Sequence, residues 1–269
     1  ADTICPANVR FLRVGVSTGS TSGRSSTSSG GERALGRVST SGGGAVEESE
    51  TMTASAIKLG MPINYAGDFR ETIDNLVDFE AAGVARITVP EAYSFDAVSQ
   101  LGYIAARTEK MELQSGILPM YSRTPSNLAM TAAGLDFISG GRFVLGIGAS
   151  GPQVIEGFHG VKYDAPLGRT REIVDICRQV WRREKVQFDG KYYQIPLPAD
   201  KGTGLGKPLK LINHPVRESI PIVIASLGPK NVALTAEIAQ GWEPIFFHPE
   251  KAESVWGDSL AEGKAKRDP

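Results

Sequence analysis

From residue 56 onward, short apolar runs alternate with amphipathic stretches at helical spacing. Arg86-Ile-Thr-Val89, Phe143 to Gly148 and Ile220 to Ala225 are near-continuous apolar runs of strand length, and each precedes a segment with helix signals. A strand that is apolar on both faces is buried on both faces, as in a parallel sheet covered by helices. The chain has 269 residues, 41% of them hydrophobic, enough for such a core. Pattern alone leaves two parallel architectures open, a doubly wound sheet and a (β/α)8 barrel.

The units read as follows. Ala56 to Ile63 is a first strand. Asp68 and Glu71 make a capping box ahead of a helix that carries Phe69, Ile73, Leu76 and Val77 on one face and stops at Gly83. Arg86 to Val89 is the second strand, Phe95 to Arg107 the second helix and Met111 to Leu118 the third strand. Thr124-Pro125 opens a third helix with Leu128, Ala132, Leu135 and Ile138 as its buried stripe. Phe143 to Gly148 is the fourth strand. A further helix shows the stripe Ile173, Ile176, Cys177, Val180 and Trp181. Val186 to Ile195 reads as a hairpin with an Asp189-Gly190 turn. Loop covers 196–219. Ile220 to Ala225 is the fifth barrel-type strand, Pro229 to Gln240 its helix, and Trp242 to Phe247 the sixth strand. Glu250 to Pro269 is polar and weakly helical.

Residues 1–51 differ in kind. Between Ser17 and Gly44, 21 of 28 residues are Ser, Thr or Gly. Such a segment buries too little apolar surface to offset its ordering entropy. The expected organisation is a disordered extension over 1–51 and a barrel-type domain over 52–269.

A net charge of -1 without a basic block argues against nucleic acid. No apolar run approaches the ~18 residues a bilayer needs, so no membrane partner is expected. Two cysteines and three scattered histidines give neither a disulfide framework nor a metal spacing. The opening residues carry no secretory pattern. A cytoplasmic protein without a metal site is therefore expected.

Gly146-Ile-Gly-Ala-Ser-Gly151 follows a strand and matches G-x-G-x-x-G, a pattern that offers backbone N–H groups to a phosphate. A dinucleotide fingerprint also needs a helix opening within the glycines. Pro152, Gly157 and Gly160 argue against one. A plain tight turn is the alternative. Gly202-Thr-Gly-Leu-Gly-Lys207 lacks phosphate-loop spacing and follows no strand, so it reads as a flexible loop. At Ala225-Ser-Leu-Gly-Pro229 a buried strand ends and a helix opens, which suits a phosphate on free amides. Glu91, just past the second strand, is a carboxylate placed to reach a barrel-mouth site. Cys177 reads as core. His159 is a loop histidine within reach of a ligand, and His214 and His248 read as loop residues.

Three stretches together resemble the luciferase-like monooxygenase superfamily, in its deazaflavin (coenzyme F420)-dependent oxidoreductase branch. They are Leu135-Asp-Phe-Ile-Ser-Gly-Gly-Arg-Phe-Val-Leu-Gly-Ile-Gly148, Phe188-Asp-Gly-Lys-Tyr-Tyr193, and Pro221-Ile-Val-Ile-Ala-Ser-Leu-Gly-Pro229 followed by Ala239-Gln-Gly-Trp242. The resemblance covers about residues 55–250. It implies an α/β fold, a (β/α)8 TIM barrel of the luciferase-like type, with cofactor at the carboxyl ends of the strands. Six barrel strands are counted, and the 22 residues after Phe247 cannot supply two more units, so an incomplete barrel is expected.

The resemblance also implies a non-proline cis peptide after the third strand, by position Ser115–Gly116, with Ser115, Gly116 and Ile117 bracketing the cofactor ring. The phosphate would meet Gly148, Ala149, Ser150 and Gly151, or Leu227 and Gly228, the second being the better match to the deazaflavin branch. FMN-using relatives often place an arginine where Ala149 stands, which favours coenzyme F420 over FMN. Sugar-phosphate dehydrogenases of the branch pair a histidine with a glutamate. Ala92 and Gly151 or Pro152 hold those positions here, so that activity is not carried over. Glu91 remains as the catalytic acid at the ring edge.

The implied activity is hydride transfer between coenzyme F420 and a small organic substrate, in a chain that can form a homodimer. The alternatives are an FMN-dependent monooxygenase on the same barrel and an inactive truncated barrel that only binds ligand or partner.

Overall fold

The computed structural model describes residues 58–63 and 67–267. The 1–51 extension lies outside the described residues. A parallel sheet is built from β1 (Gly60–Pro62), β2 (Arg86–Val89), β3 (Glu112–Ser115), β5 (Phe143–Gly148), β8 (Ile222–Ala225) and β9 (Gly241–Trp242), in that spatial order. A short β4 (Leu118–Pro119) continues β3 after a break and also pairs with β5. Helices α1 (Phe69–Ala81), α2 (Ala97–Ala105), α3 (Pro125–Ile138), α5 (Pro166–Trp181), α6 (Pro229–Ile238) and α7 (Pro249–Lys266) accompany it, with a single turn α4 (Pro152–Ile155). β6 (Phe188–Asp189) and β7 (Gln194–Ile195) form a separate antiparallel pair. The six parallel strands follow chain order, as in a barrel of βα units; a doubly wound sheet would reverse that order at a switch point.

The local physics is as the sequence suggests. Asp68 caps α1 by accepting from the amides of Arg70 and Glu71, and Thr124 caps α3 through Asn127 N–H. Gly83 turns the chain at φ 94°, a conformation that suits glycine. The sheet-facing stripe of α5 is fully enclosed, and Trp181 donates to the Ala129 carbonyl at 3.0 Å. Cys177 lies in that core, where burial pushes its thiol up to about 12.

Asp136 and Arg142, both in the longest family-like stretch, act as clamps. Asp136 is wholly buried and ion-paired to Arg217, which also donates to the Phe143 carbonyl at 2.6 Å. Arg142 spreads across the carbonyls of Ala105, Thr108 and Met111, tying the end of α2 to the start of β3. Glu80, the penultimate residue of α1, accepts from the amides of Glu109, Lys110 and Met111.

Several expectations are corrected. The described part of the first strand is only Gly60–Pro62. The third strand is interrupted between Ser115 and Leu118. Ile138 is exposed, because α3 reaches its C-cap there and turns that residue outward. The hairpin turn is a four-residue loop, Gly190 to Tyr193, because Glu172 of α5 accepts the amides of Lys191, Tyr192 and Tyr193. The sixth strand ends at Trp242, and Phe246 has φ 59°. The polar C-terminal segment is an 18-residue helix. It packs on α6 through Gly263, where any Cβ would overlap the Ala233 carbonyl. Tertiary contact, and not helix propensity, holds it.

Candidate functional site

Strand carboxyl ends converge on one mouth, and the parallel register sets their heights. Gly148 pairs with Ala225 on one side and Pro119 on the other. A Cβ on Gly148 would sit 3.1 Å from Ile117 Cδ1 and 3.3 Å from Ala225 Cβ. Gly148 therefore lets the chain after β3, the loop after β5 and the loop after β8 form one continuous wall.

The non-proline cis peptide is Gly116–Ile117, one bond later than the expected Ser115–Gly116. Ser115 belongs to the scaffold. It is fully buried, and its hydroxyl donates to the Gly146 carbonyl at 2.8 Å and accepts from the Gly146 amide at 2.9 Å. That hydroxyl replaces the ladder where β3 breaks. Gly116 and Ile117 are partly exposed and can meet a ligand, whereas Ser115 presents no surface.

In the glycine loop, Gly151 caps the single turn α4, with Pro152 at its first position. A helix therefore does open among the glycines, but Gly157 and Gly160 follow and it stops after four residues. Ser150 is left-handed at φ 56°. Among the described residues, the amides of Ala149, Ser150 and Gly151 donate to no protein acceptor. Successive free amides of this kind make an anion-binding concavity.

The loop after β8 is better built for a phosphate. Gly228 is the N-cap of α6, and beyond its chain neighbours no atom of the described residues lies within 4 Å of where its Cβ would stand. The amides of Leu227, Gly228 and Lys230 donate to no acceptor among the described residues. Two indoles brace this loop from behind. Trp242 Nε1 donates to the Ser226 carbonyl and Trp256 Nε1 to the Leu227 carbonyl, each at 2.9 Å. The two rings lie 5.2 Å apart, near perpendicular. With the Ser226 and Leu227 carbonyls taken by the indoles, the loop leaves its amides free. The sequence singled out Trp242 but not Trp256, because α7 had no recognisable stripe.

Glu91 lies past β2 as expected, and its carboxylate is engaged by the protein. Arg123 grips it through both nitrogens, at 2.6 and 2.9 Å, and the Ala97 amide donates to Oε2 at 3.0 Å. Arg123 also reaches Asp96 at 3.0 Å. Burial works against the Arg123 charge, yet the bonds and charges of Glu91 and Asp96 outweigh it and hold its pKa above the usual value. This geometry suits Glu91 to fixing the β2–α2 corner, with three hydrogen bonds already engaging its two oxygens.

A second acid does reach the lumen. Glu243, just after β9, lies beside Gly116 and accepts from Gln114 Nε2 at 2.8 Å. Burial raises its carboxyl above the usual range, while the Gln114 bond and the Arg86 charge pull it partly back. The sequence held one signal for it, an acid inside the apolar run Trp242-Glu-Pro-Ile-Phe-Phe247. His159 packs against Phe158, and its buried Nε2 has no partner among the described residues. Among the described residues, no group of three His, Cys, Asp or Glu side chains could hold a metal ion, and no helix is long and apolar enough to cross a membrane.

Fold and site thus define a (β/α)-barrel protein with a glycine-lined, amide-rich ligand mouth. Residues 50–269 match the family described as luciferase-like monooxygenase, and the chain belongs to that family. It is 43% identical over 215 residues to a Mycobacterium tuberculosis protein provisionally named a coenzyme F420-dependent oxidoreductase, Rv3520c, covering 79% of this chain and 62% of that one. A 5,10-methylenetetrahydromethanopterin reductase of Archaeoglobus fulgidus is 34% identical over 169 residues, covering 62% of this chain and 46% of that one. The chain thus spans about half to two thirds of the length of these relatives.

Two solved structures share the fold, each with a TM-score of 0.67. The coenzyme F420 dependent tetrahydromethanopterin reductase of Methanopyrus kandleri is 22% identical, covering 79% of this chain and 62% of that one. An F420-dependent secondary alcohol dehydrogenase is 20% identical, covering 79% and 66%.

Proposed function

We propose that this chain forms the cofactor mouth of an oxidoreductase that exchanges hydride between coenzyme F420 and a small organic substrate. The observation that carries this reading is the braced loop Ser226-Leu227-Gly228. Its free amides at the start of α6 suit a phosphate, and the space at Gly228 admits one. Ala149 supports deazaflavin over FMN, because the glycine loop offers amides there without an arginine. The names of the relatives point the same way.

Leu227 and Gly228 would hold the phosphate, with the amides of Ala149 to Gly151 on the adjacent loop. Gly116 and Ile117 would support one face of the ring. When bound, the deazaflavin supplies a carbon that exchanges hydride and reacts poorly with oxygen. The protein's own part is to orient, to exclude water and to handle the accompanying proton. A homodimer and a cytoplasmic setting belong to the same proposal. Exposed Met130, Phe137 and Ile138 on α3 offer apolar surface for self-association.

Titration with coenzyme F420 and with FMN, followed by absorbance and by tryptophan emission from Trp242 and Trp256, tests the reading. Saturable F420 binding with weak or absent FMN binding is expected. Preferential FMN binding would move the chain to the monooxygenase chemistry of its superfamily, and binding of neither would leave a ligandless barrel.

A further inference from the structure

Glu243 presents one oxygen to Gln114 and the other to Gly116. Oε2 accepts from Gln114 Nε2 at 2.8 Å. Oε1 would stand 2.9 Å from a Cβ on Gly116. The direction of the Gln114 amide is not a free choice. Arg86 Nη1 meets its other end at 2.9 Å, and a guanidinium can only donate. Gln114 must therefore turn its oxygen to Arg86 and its NH2 to Glu243. A proton on this carboxyl consequently sits on Oε1, the atom beside the Gly116–Ile117 peptide.

The surrounding charge is largely spent. Arg86 of β2 is paired with Glu112 of β3 at 2.6 Å, and Thr88 of β2 and Gln114 of β3 are neutral. Little positive charge is left to fix Glu243 as a carboxylate. Glu91 differs, since both of its oxygens are engaged by Arg123 and the Ala97 amide.

We propose that Glu243 is the proton-exchanging residue of this site, and that the substrate is a small carbonyl or imine, or the corresponding alcohol or amine. The proposal rests on the deazaflavin reading and deepens it. Reducing a C=O or C=N bond takes a hydride at carbon and a proton at oxygen or nitrogen. Coenzyme F420, when bound, would supply the hydride. The Oε1–H bond of Glu243 breaks, its proton joins the heteroatom, and the bonding pair stays on the carboxylate until water returns a proton. In the oxidising direction the heteroatom's proton moves to Oε1 as hydride leaves carbon.

The first test needs no cofactor. Glu243→Gln keeps an acceptor for Gln114 and removes the titration. A carboxyl with a raised folded pKa contributes stability that is present below the unfolded pKa and is lost as pH rises through the folded one. Melting temperatures of wild type and Glu243→Gln, measured from about pH 4 to about pH 9, should therefore diverge with rising pH, the variant being the more stable at the alkaline end. Gln114→Leu removes the donor that favours the carboxylate, so it should move the wild-type transition to higher pH. A constant offset at every pH would overturn the proposal.

The second test follows oxidation of reduced coenzyme F420 by a panel of small ketones, aldehydes and imines. Glu243→Gln should lose about 10²-fold to 10⁴-fold in turnover and the associated pH limb, with cofactor affinity nearly unchanged. Cofactor binding with undiminished turnover in the variant would sink this inference alone. Wild-type failure to bind coenzyme F420 would sink the parent reading and this one with it. Binding without turnover of any panel member would overturn the substrate class.

Discussion

Gln114 on β3 and Glu243 after β9 are joined by a 2.8 Å hydrogen bond although their strands stand three places apart in the sheet. In a flat sheet that separation is about 14 Å, at about 4.8 Å per strand. The bond therefore measures the curl of the sheet into a barrel wall. It also places an acid opposite the Gly116–Ile117 peptide, and so ties the architecture to the site.

The braces of the β8 loop should tune affinity without affecting the fold much. Trp256→Phe keeps the ring packing and removes the bond to the Leu227 carbonyl. One hydrogen bond contributes about 1 kcal/mol, so coenzyme F420 should bind about 3-fold to 10-fold more weakly. Titration of the variant with melting temperature as the control checks this. Unchanged affinity would mean that the loop amides do not hold the phosphate.

Two glycines should behave in opposite ways. At Gly146 any Cβ overlaps the Ser115 carbonyl, so Gly146→Ala should destabilise the protein by about 1–3 kcal/mol through forced backbone shift. At Gly228 a side chain has open space and φ is −69°, so Gly228→Trp should leave the melting temperature near wild type and abolish cofactor binding. Paired melting and binding curves decide both.

Glu91→Gln should act on stability. It leaves Arg123 buried with only the more exposed Asp96 as a charged partner. Breaking a buried pair in this way costs about 3–5 kcal/mol, readable from urea denaturation. A variant that folds as well as wild type but has lost turnover would return Glu91 to the role of catalytic acid.

Glu80 should contribute to acid sensitivity. Burial raises its pKa, but bonds from the Met111, Lys110 and Glu109 amides, with the Arg142 charge, outweigh burial and hold it below the ordinary value. With the folded pKa depressed, its contribution is present above about pH 4.5 and is lost as pH falls through the lowered value. Glu80→Gln should therefore be less stable than wild type at neutral pH, by about 1–3 kcal/mol, with the gap narrowing in acid. A gap independent of pH would contradict the linkage.

Strand β5, the caps Asp68 and Thr124, and the apolar face of α5 were legible in the sequence because each is set by neighbours a few residues apart. The interruption of the third strand was not, because it depends on Ser115 bonding to Gly146, thirty-one residues away. The hairpin loop was misread for the same reason, since its amides belong to Glu172. In the site, the glycine-rich stretches announced backbone approach, but the roles of Glu91 and Glu243 depended on partners distant in sequence.

By itself, then, the sequence determined the βα alternation and the glycine-lined positions, since periodicity, capping and missing side chains are local properties, while its resemblance to a known family pointed to the barrel. Only the tertiary structure decided what surrounds each acid. The pairing of β2 with β3 sets Arg123 against Glu91, whose two oxygens take three hydrogen bonds. The curl of the sheet brings Glu243 to Gln114 and leaves its other oxygen beside Gly116.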